Sequence, residues 1–158
     1  MAEGHARSAG DPVLDRARLS DLEALIAIDA SGQHWTRPDF ASELGNEPST
    51  LYILRLDGAT LGFVVVRVAG SDLDIVNVAV AEPHRRRGLG KRLLQLLFDH
   101  FASPAVARVF LEVREGNTIA RAFYESLGFE ETQRRRNFYS DPREDAVLMS
   151  LTRSPAKG

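Results

Sequence analysis

Apolar positions along this chain recur with two periods, and the switches between them outline its elements. Val13 to Arg18 is a short β-like run. Ser20-Asp21-Leu22-Glu23 has the form of a capping box, and Leu22, Leu25, Ile26 and Ile28 continue it as a helix to about Ala30. Ser31 to Trp35 reads as a loop, and Thr36 caps a second short helix with Pro38 in its first turn, ending near Leu44. Two β-rich runs, Thr50–Leu56 and Leu61–Val68, are joined by Asp57-Gly58, a hairpin signal. Asp74 to Val80 is apolar on both faces, as a covered central strand should be. A basic glycine turn follows, and then a helix to about Ala102 with Leu89, Leu93, Leu96, Leu97 and Phe101 on one stripe. Val106–Arg114 is a further strand, and Asn117–Leu127 a helix closed by Gly128. Phe129–Phe138 and Asp145–Leu151 complete the set. The order predicts a mixed sheet with helices on both faces, in which only some connections are long enough for parallel pairing.

The turn after the central strand carries the first chemistry. Pro83 cannot donate to a sheet ladder, so the strand ends before it. Gly88 and Gly90 allow a tight turn into the helix, whose first N–H groups then point outward at the positive end of its dipole. Such a start accepts an anion, most naturally phosphate or pyrophosphate, and Arg85, Arg86, Arg87 and Lys91 surround it. A solvated basic turn would look the same. Two common phosphate motifs fail: GxxxxGK[ST] needs glycine at Arg85 and Ser or Thr at Arg92, and GxGxxG from Gly88 needs glycine at Leu93.

Composition narrows the class. At 158 residues, with 44% apolar and 27% charged, the chain fits one globular domain, expected over 12–152 between a flexible segment, 1–11, and a tail, 153–158. It contains no cysteine, which excludes disulfides, thiolate metal sites and a cysteine nucleophile. The four histidines lack metal-ligand spacing, so no catalytic metal is expected. No apolar run approaches a membrane span and no signal peptide is evident, which fits a cytoplasmic protein. A net charge of −2 argues against general nucleic-acid binding.

Two side chains stand out downstream. Glu112 shares a strand face with Phe110 and Arg114, opposite Val109, Leu111 and Val113. A carboxylate there is either paired, with Arg114 the obvious cation, or wetted by a cleft in which it serves as a general base. In the following helix Ile119, Ala122, Phe123 and Leu127 form the expected core stripe. Tyr124 then lies to one side with Asn117, Ala120 and Arg121, either as a boundary residue or as an acid for a departing thiolate.

Arg85-Arg86-Arg87-Gly88-Leu89-Gly90 after an apolar strand fits [Q/R]-x-x-G-x-[G/A], and so resembles the pyrophosphate-binding motif of the GCN5-related N-acetyltransferases (GNAT). The likeness extends through Leu111-Glu112-Val113-Arg114, Asn117, Ala122 to Phe129, Arg135 to Tyr139 and Arg143 to Met149. Over that stretch the chain resembles the bacterial ribosomal-protein-alanine N-acetyltransferases of this family. The resemblance implies an α/β fold, with a mostly antiparallel sheet of six to seven strands, helices on both faces and a splayed central strand. It implies acetyl-CoA as cosubstrate, Glu112 as general base and Tyr124 as general acid. Val78, Ala79 and Val80 fall on the strand that binds the acetyl-pantetheine arm, Arg86 to Lys91 on the pyrophosphate loop, and Asn117 on a coenzyme contact. Trp35, Phe138 and Tyr139 fall on the acceptor side. The family's tandem tyrosine is Phe138-Tyr139 here, one hydroxyl fewer, and His34-Trp35-Thr36 matches only loosely.

The implied reaction is direct transfer of acetyl to the N-terminal α-amine of a protein, with a ribosomal protein beginning in alanine as the implied acceptor. An α-amine, of reference pKa about 7.7–8.0, costs about 3–4 kcal/mol less to deprotonate than a lysine at about 10.4. One water-linked carboxylate therefore suits it. Lysine or a small amine as acceptor, a non-catalytic coenzyme-A-binding module, and a nucleic-acid module using Arg85–Arg87 and Arg134–Arg136 are the alternatives.

Overall fold

The computed structural model describes residues 11–29, 35–44, 49–102, 106–140 and 142–153. The expected flexible segment except Asp11, the loop at Ser31–Trp35 except Trp35, and the tail except Arg153 lie outside the described residues. Among those residues, seven strands and four helices run from Val13 to Thr152. In chain order they are β1 (Val13–Arg16), α1 (Leu22–Ile28), α2 (Arg37–Leu44), β2 (Ser49–Leu56), β3 (Ala59–Ala69) and β4 (Asp72–Val80). Then come α3 (Leu89–His100), β5 (Arg108–Arg114), α4 (Thr118–Ser126), β6 (Glu130–Tyr139) and β7 (Glu144–Thr152). The strands form one mixed sheet in the order β1-β2-β3-β4-β5-β7-β6.

The pairing follows from the connections. Asp57 (φ 50°) and Gly58 (φ 84°) both take positive φ, the type I′ geometry that folds β2 and β3 into a hairpin. Two residues, Gly70 and Ser71, likewise link β3 to β4. The helical crossover through α3 makes β5 parallel to β4, with pairs from Asp72–Arg108 to Ile75–Leu111. β7 is antiparallel to both β5 and β6.

The contacts divide into two compact units, Met1–Val65 with Asn77–Asp99, and Val66–Val76 with His100–Gly158, so β3 and β4 each contribute to both. In the first unit β3 is buried continuously from Leu61 to Val65, because helices cover both of its faces. Phe63 meets Phe40 of α2 edge-on at 5.3 Å between ring centroids. On the other face a Cβ placed at Gly62 would lie 3.4 Å from Leu93 of α3. α2 begins with a reciprocal cap: Thr36 donates its N–H to Asp39 Oδ2 at 2.7 Å, and Asp39 returns its N–H to Thr36 Oγ1 at 3.4 Å. The cap expected at Ser20 does not form. A 3₁₀ turn, Leu19–Asp21, precedes α1, and Asp21 accepts the Arg18 N–H at 2.8 Å while its carboxylate also pairs with Arg55 at 3.0 Å. Asp21 is held by a cation on β2, which decides the chain's entry into α1.

In the second unit Val109, Leu111 and Val113 are buried with Val147 and Met149, and Glu112 lies on the other face, as the alternation predicts. α4 presents a different side from the expected stripe. Tyr124 is buried, whereas Ile119 is 78% exposed. Ala120, Tyr124 and Leu127, at helical spacing, face inward, and the Tyr124 ring meets Phe129 edge-on at 5.6 Å. An aromatic ring buries more area than an isoleucine, so the tyrosine side wins the sheet.

Candidate functional site

The residues singled out by the sequence fall in two groups, one in each unit. In the first, β4 delivers Val78, Ala79 and Val80, all half-buried, to the glycine turn. Ala81 donates its N–H to Leu61 O at 2.7 Å, which anchors the strand end to β3. A short 3₁₀ turn, Glu82–His84, follows with Pro83 in it. Arg86 (φ 64°) and Gly88 (φ 76°) turn the backbone into α3. The first intrahelical bond of α3 runs from Arg92 N to Gly88 O at 3.0 Å, so the N–H groups of Leu89, Gly90 and Lys91 precede the ladder. Arg86, Arg87 and Lys91 are exposed around this helix start. Arg85 differs, since its Nε donates back to the Val80 carbonyl at 2.9 Å and so braces the turn. Outward N–H groups with three exposed cations are the donor set a pyrophosphate requires.

The same unit holds Trp35. Its ring meets Phe40 at 5.2 Å, and its backbone N–H donates to Asp29 Oδ2 at 2.6 Å. Asp29 is fully buried, and its Oδ1 accepts from Asn77 Nδ2 of β4 at 3.4 Å. One carboxylate thus ties the start of α2 to the strand that carries Val78–Val80. The sequence reading passed over Asp29, although a charge directly after the apolar stripe of α1 is a signal of it.

In the second unit Glu112 is paired, but not with Arg114. Its Oε2 lies 3.5 Å from Arg135 Nε. Arg114 is committed elsewhere: to Glu144 at 3.2 Å, to the Pro142 carbonyl at 3.2 Å, and over the Tyr139 ring at 4.3 Å. Strand order explains the exchange. β7 separates β5 from β6, Ala146 lies opposite both Arg114 and Arg135, and its small side chain leaves the face open for Arg135 to reach Glu112.

The aromatic pair ends β6. Phe138 is 48% exposed and meets Tyr139 edge-on at 5.2 Å, with the Arg135 guanidinium 5.4 Å from its ring centre. Burial, and then the Glu112 carboxylate, raise the Tyr139 phenol above its ordinary pKa against the opposing pull of Arg114. A bulge between Arg135 and Tyr139 sets their directions, with Asn137 at φ 54° and its N–H on Asp145 Oδ1 at 2.9 Å. The arginine run is not one patch: Arg134 reaches Glu115 at 2.7 Å and Glu131 at 3.3 Å, while Arg135 turns to Glu112.

Asn117 caps α4, its Oδ1 accepting the Ala120 N–H at 3.1 Å, which leaves its amide N–H groups to donate. Burial pushes the Tyr124 phenol up to about 12, so it stays protonated at neutral pH. Arg121 of α4 pairs with Glu131, which stands opposite Met149 on the sheet face away from Glu112. Glu112 and Tyr124 therefore sit on opposite faces of this part of the sheet.

Comparison with known proteins agrees with these features. Residues 17–129 match the model of the acetyltransferase (GNAT) family. The chain is 39% identical over 136 residues to the ribosomal protein bS18-alanine N-acetyltransferase of Escherichia coli K12, covering 84% of this chain and 91% of that one. It is 30% identical to an N-alpha-acetyltransferase of Sulfurisphaera tokodaii, over 95% of this chain and 98% of that one. The crystal structure of the ribosomal-protein-S18-alanine N-acetyltransferase from Escherichia coli superposes with a TM-score of 0.83 at 35% identity, over 93% of this chain and 97% of that one. The glycine turn, the fold and these matches agree: the chain belongs to the GNAT family of acetyltransferases.

Proposed function

We propose that this acetyl-CoA-dependent N-acetyltransferase acetylates the N-terminal α-amine of a protein, with a ribosomal protein beginning in alanine as acceptor and the cytoplasm as its place of work. The observation that carries the reading is the 39% identity, over 84% of the chain, to an enzyme named for acetylating alanine on a ribosomal protein. Among the described residues no helix is long and apolar enough to cross a membrane.

The thioester supplies an acetyl group activated toward amines. The N–H groups that open α3, with Arg86, Arg87 and Lys91, hold the pyrophosphate. Val78 to Val80 hold the pantetheine arm, with a backbone N–H near Val80 for the thioester oxygen, and Asn117 donates to the coenzyme. Glu112 takes a proton from the acceptor ammonium through water; the freed amine forms the N–C bond as the C–S bond breaks. Tyr124 gives its proton to the departing sulfur, and the second proton, shed by the nitrogen as the amide forms, restores the phenol. Phe138 and Tyr139, in the same unit as Glu112, line the acceptor's approach.

Two matched peptides test the proposal: one with a free N-terminal alanine and no lysine, the other with a blocked N-terminus and one lysine. Acetylation of the first alone is expected. Acetylation of the second alone would overturn the acceptor assignment.

A further inference from the structure

We propose that Arg135 occupies Glu112 until the acceptor arrives, so that the incoming ammonium must displace a resident guanidinium and Arg135 sets acceptor affinity rather than the rate of transfer. The inference rests on the reading of Glu112 as the carboxylate that receives the amine.

Charge is the first argument. Glu112 and Glu144 are matched by Arg135 and Arg114, at 3.5 Å and 3.2 Å. The cluster is neutral as it stands, and an approaching ammonium meets net attraction only when a cation turns away. Arg114 cannot turn cheaply, because it also holds the Pro142 carbonyl and stacks over Tyr139. Arg135 can. Its side chain is 50% exposed, that of Glu112 is 33% exposed, and one Nε contact at 3.5 Å joins them. Such a half-wet pair is weak enough to exchange.

The displaced guanidinium also has a place to rest. It already lies 5.4 Å from the Phe138 ring centre, a cation–π distance, and can keep that contact while releasing the carboxylate. Position completes the case. Arg135 reaches Glu112 past Ala146, so the exchange needs only a side-chain rotation and no movement of the sheet. Arg135 is a positioning residue: it acts through Glu112 and has no part in the proton transfer.

Steady-state kinetics with the N-terminal-alanine peptide test this. In Arg135→Gln the KM for the peptide should fall about two- to five-fold, as expected for loss of a competing half-exposed ion pair, while kcat stays within about two-fold. Arg135→Lys, which keeps the charge, should return KM to the wild-type value. An unchanged or higher KM in Arg135→Gln, or Arg135→Lys behaving like Arg135→Gln, would overturn the inference. The two readings fail separately. Wild-type protein that acetylates the lysine peptide and spares the alanine peptide refutes the α-amine assignment. Transfer by the wild type with KM unmoved in Arg135→Gln refutes only the role of Arg135.

Discussion

Gly62 of β3 faces the carbonyl of Ala79 on β4 so closely that a Cβ at position 62 would lie 2.7 Å from that oxygen. The Val80 Cα would be 3.3 Å away. Both neighbours are backbone, so neither can swing aside.

Gly62→Ala therefore shifts β4 where the proposal places the pantetheine arm. The variant should lose about 1–3 kcal/mol of stability by overpacking, and its acetyl-CoA affinity should fall. Calorimetric titration with acetyl-CoA checks this; undiminished affinity would separate Val78–Val80 from coenzyme binding.

Glu112→Gln removes the proposed base and should lower kcat by about 10²–10⁴-fold near neutral pH with acetyl-CoA affinity retained. The deficit should narrow as pH rises and the amine deprotonates unaided. A transfer rate matching the wild type across pH 6–9 would refute the assignment.

Tyr124→Phe removes the proposed acid and should slow transfer. It should also change stability on the alkaline side. The folded-state pKa of about 12 stands above the phenol's ordinary 10, so the folded protein holds this proton more tightly. That stability is fully present below about pH 10 and is lost as pH rises through 12, an effect of about 2–3 kcal/mol. Denaturant titrations from pH 8 to 11.5 should show a steeper loss for the wild type than for Tyr124→Phe; parallel curves would mean that the ring is wetter than its burial implies.

Asp29→Ala leaves the Trp35 N–H and the Asn77 amide without the carboxylate that receives them. Because the site is fully buried, the loss should be about 1–3 kcal/mol, read as a lowered Tm. A Tm equal to the wild type would show that water replaces the carboxylate.

Much of this was legible beforehand where one short stretch decides the outcome. Asp57-Gly58 made its turn, Thr36 its cap, and Gly128 (φ 103°) its helix end. The alternation around Glu112 placed that side chain on the less buried face, and the glycine turn opened α3. Distant partners were not legible. The pairing of Glu112 with Arg135 depends on β7 lying between β5 and β6, a fact of strand order. The inward side of α4 is not decided by its own sequence, because Ile119 and Tyr124 both offer apolar surface and only the sheet beneath selects one. Ser20 lost its capping role because Arg55, far along the chain, holds Asp21.

The two-residue links between β2 and β3 and between β3 and β4 also bear on how the chain reaches this arrangement. Strands joined so tightly pair with little loss of loop entropy, whereas the β4–β5 pairing must wait for α3 to cross. The β2–β3–β4 meander can thus assemble first, as a nucleus emerging early from the ribosome, with β5 to β7 added afterwards. Its central strand, sealed by helices on both sides from Leu61 to Val65, should then keep its amide protons longest in hydrogen exchange.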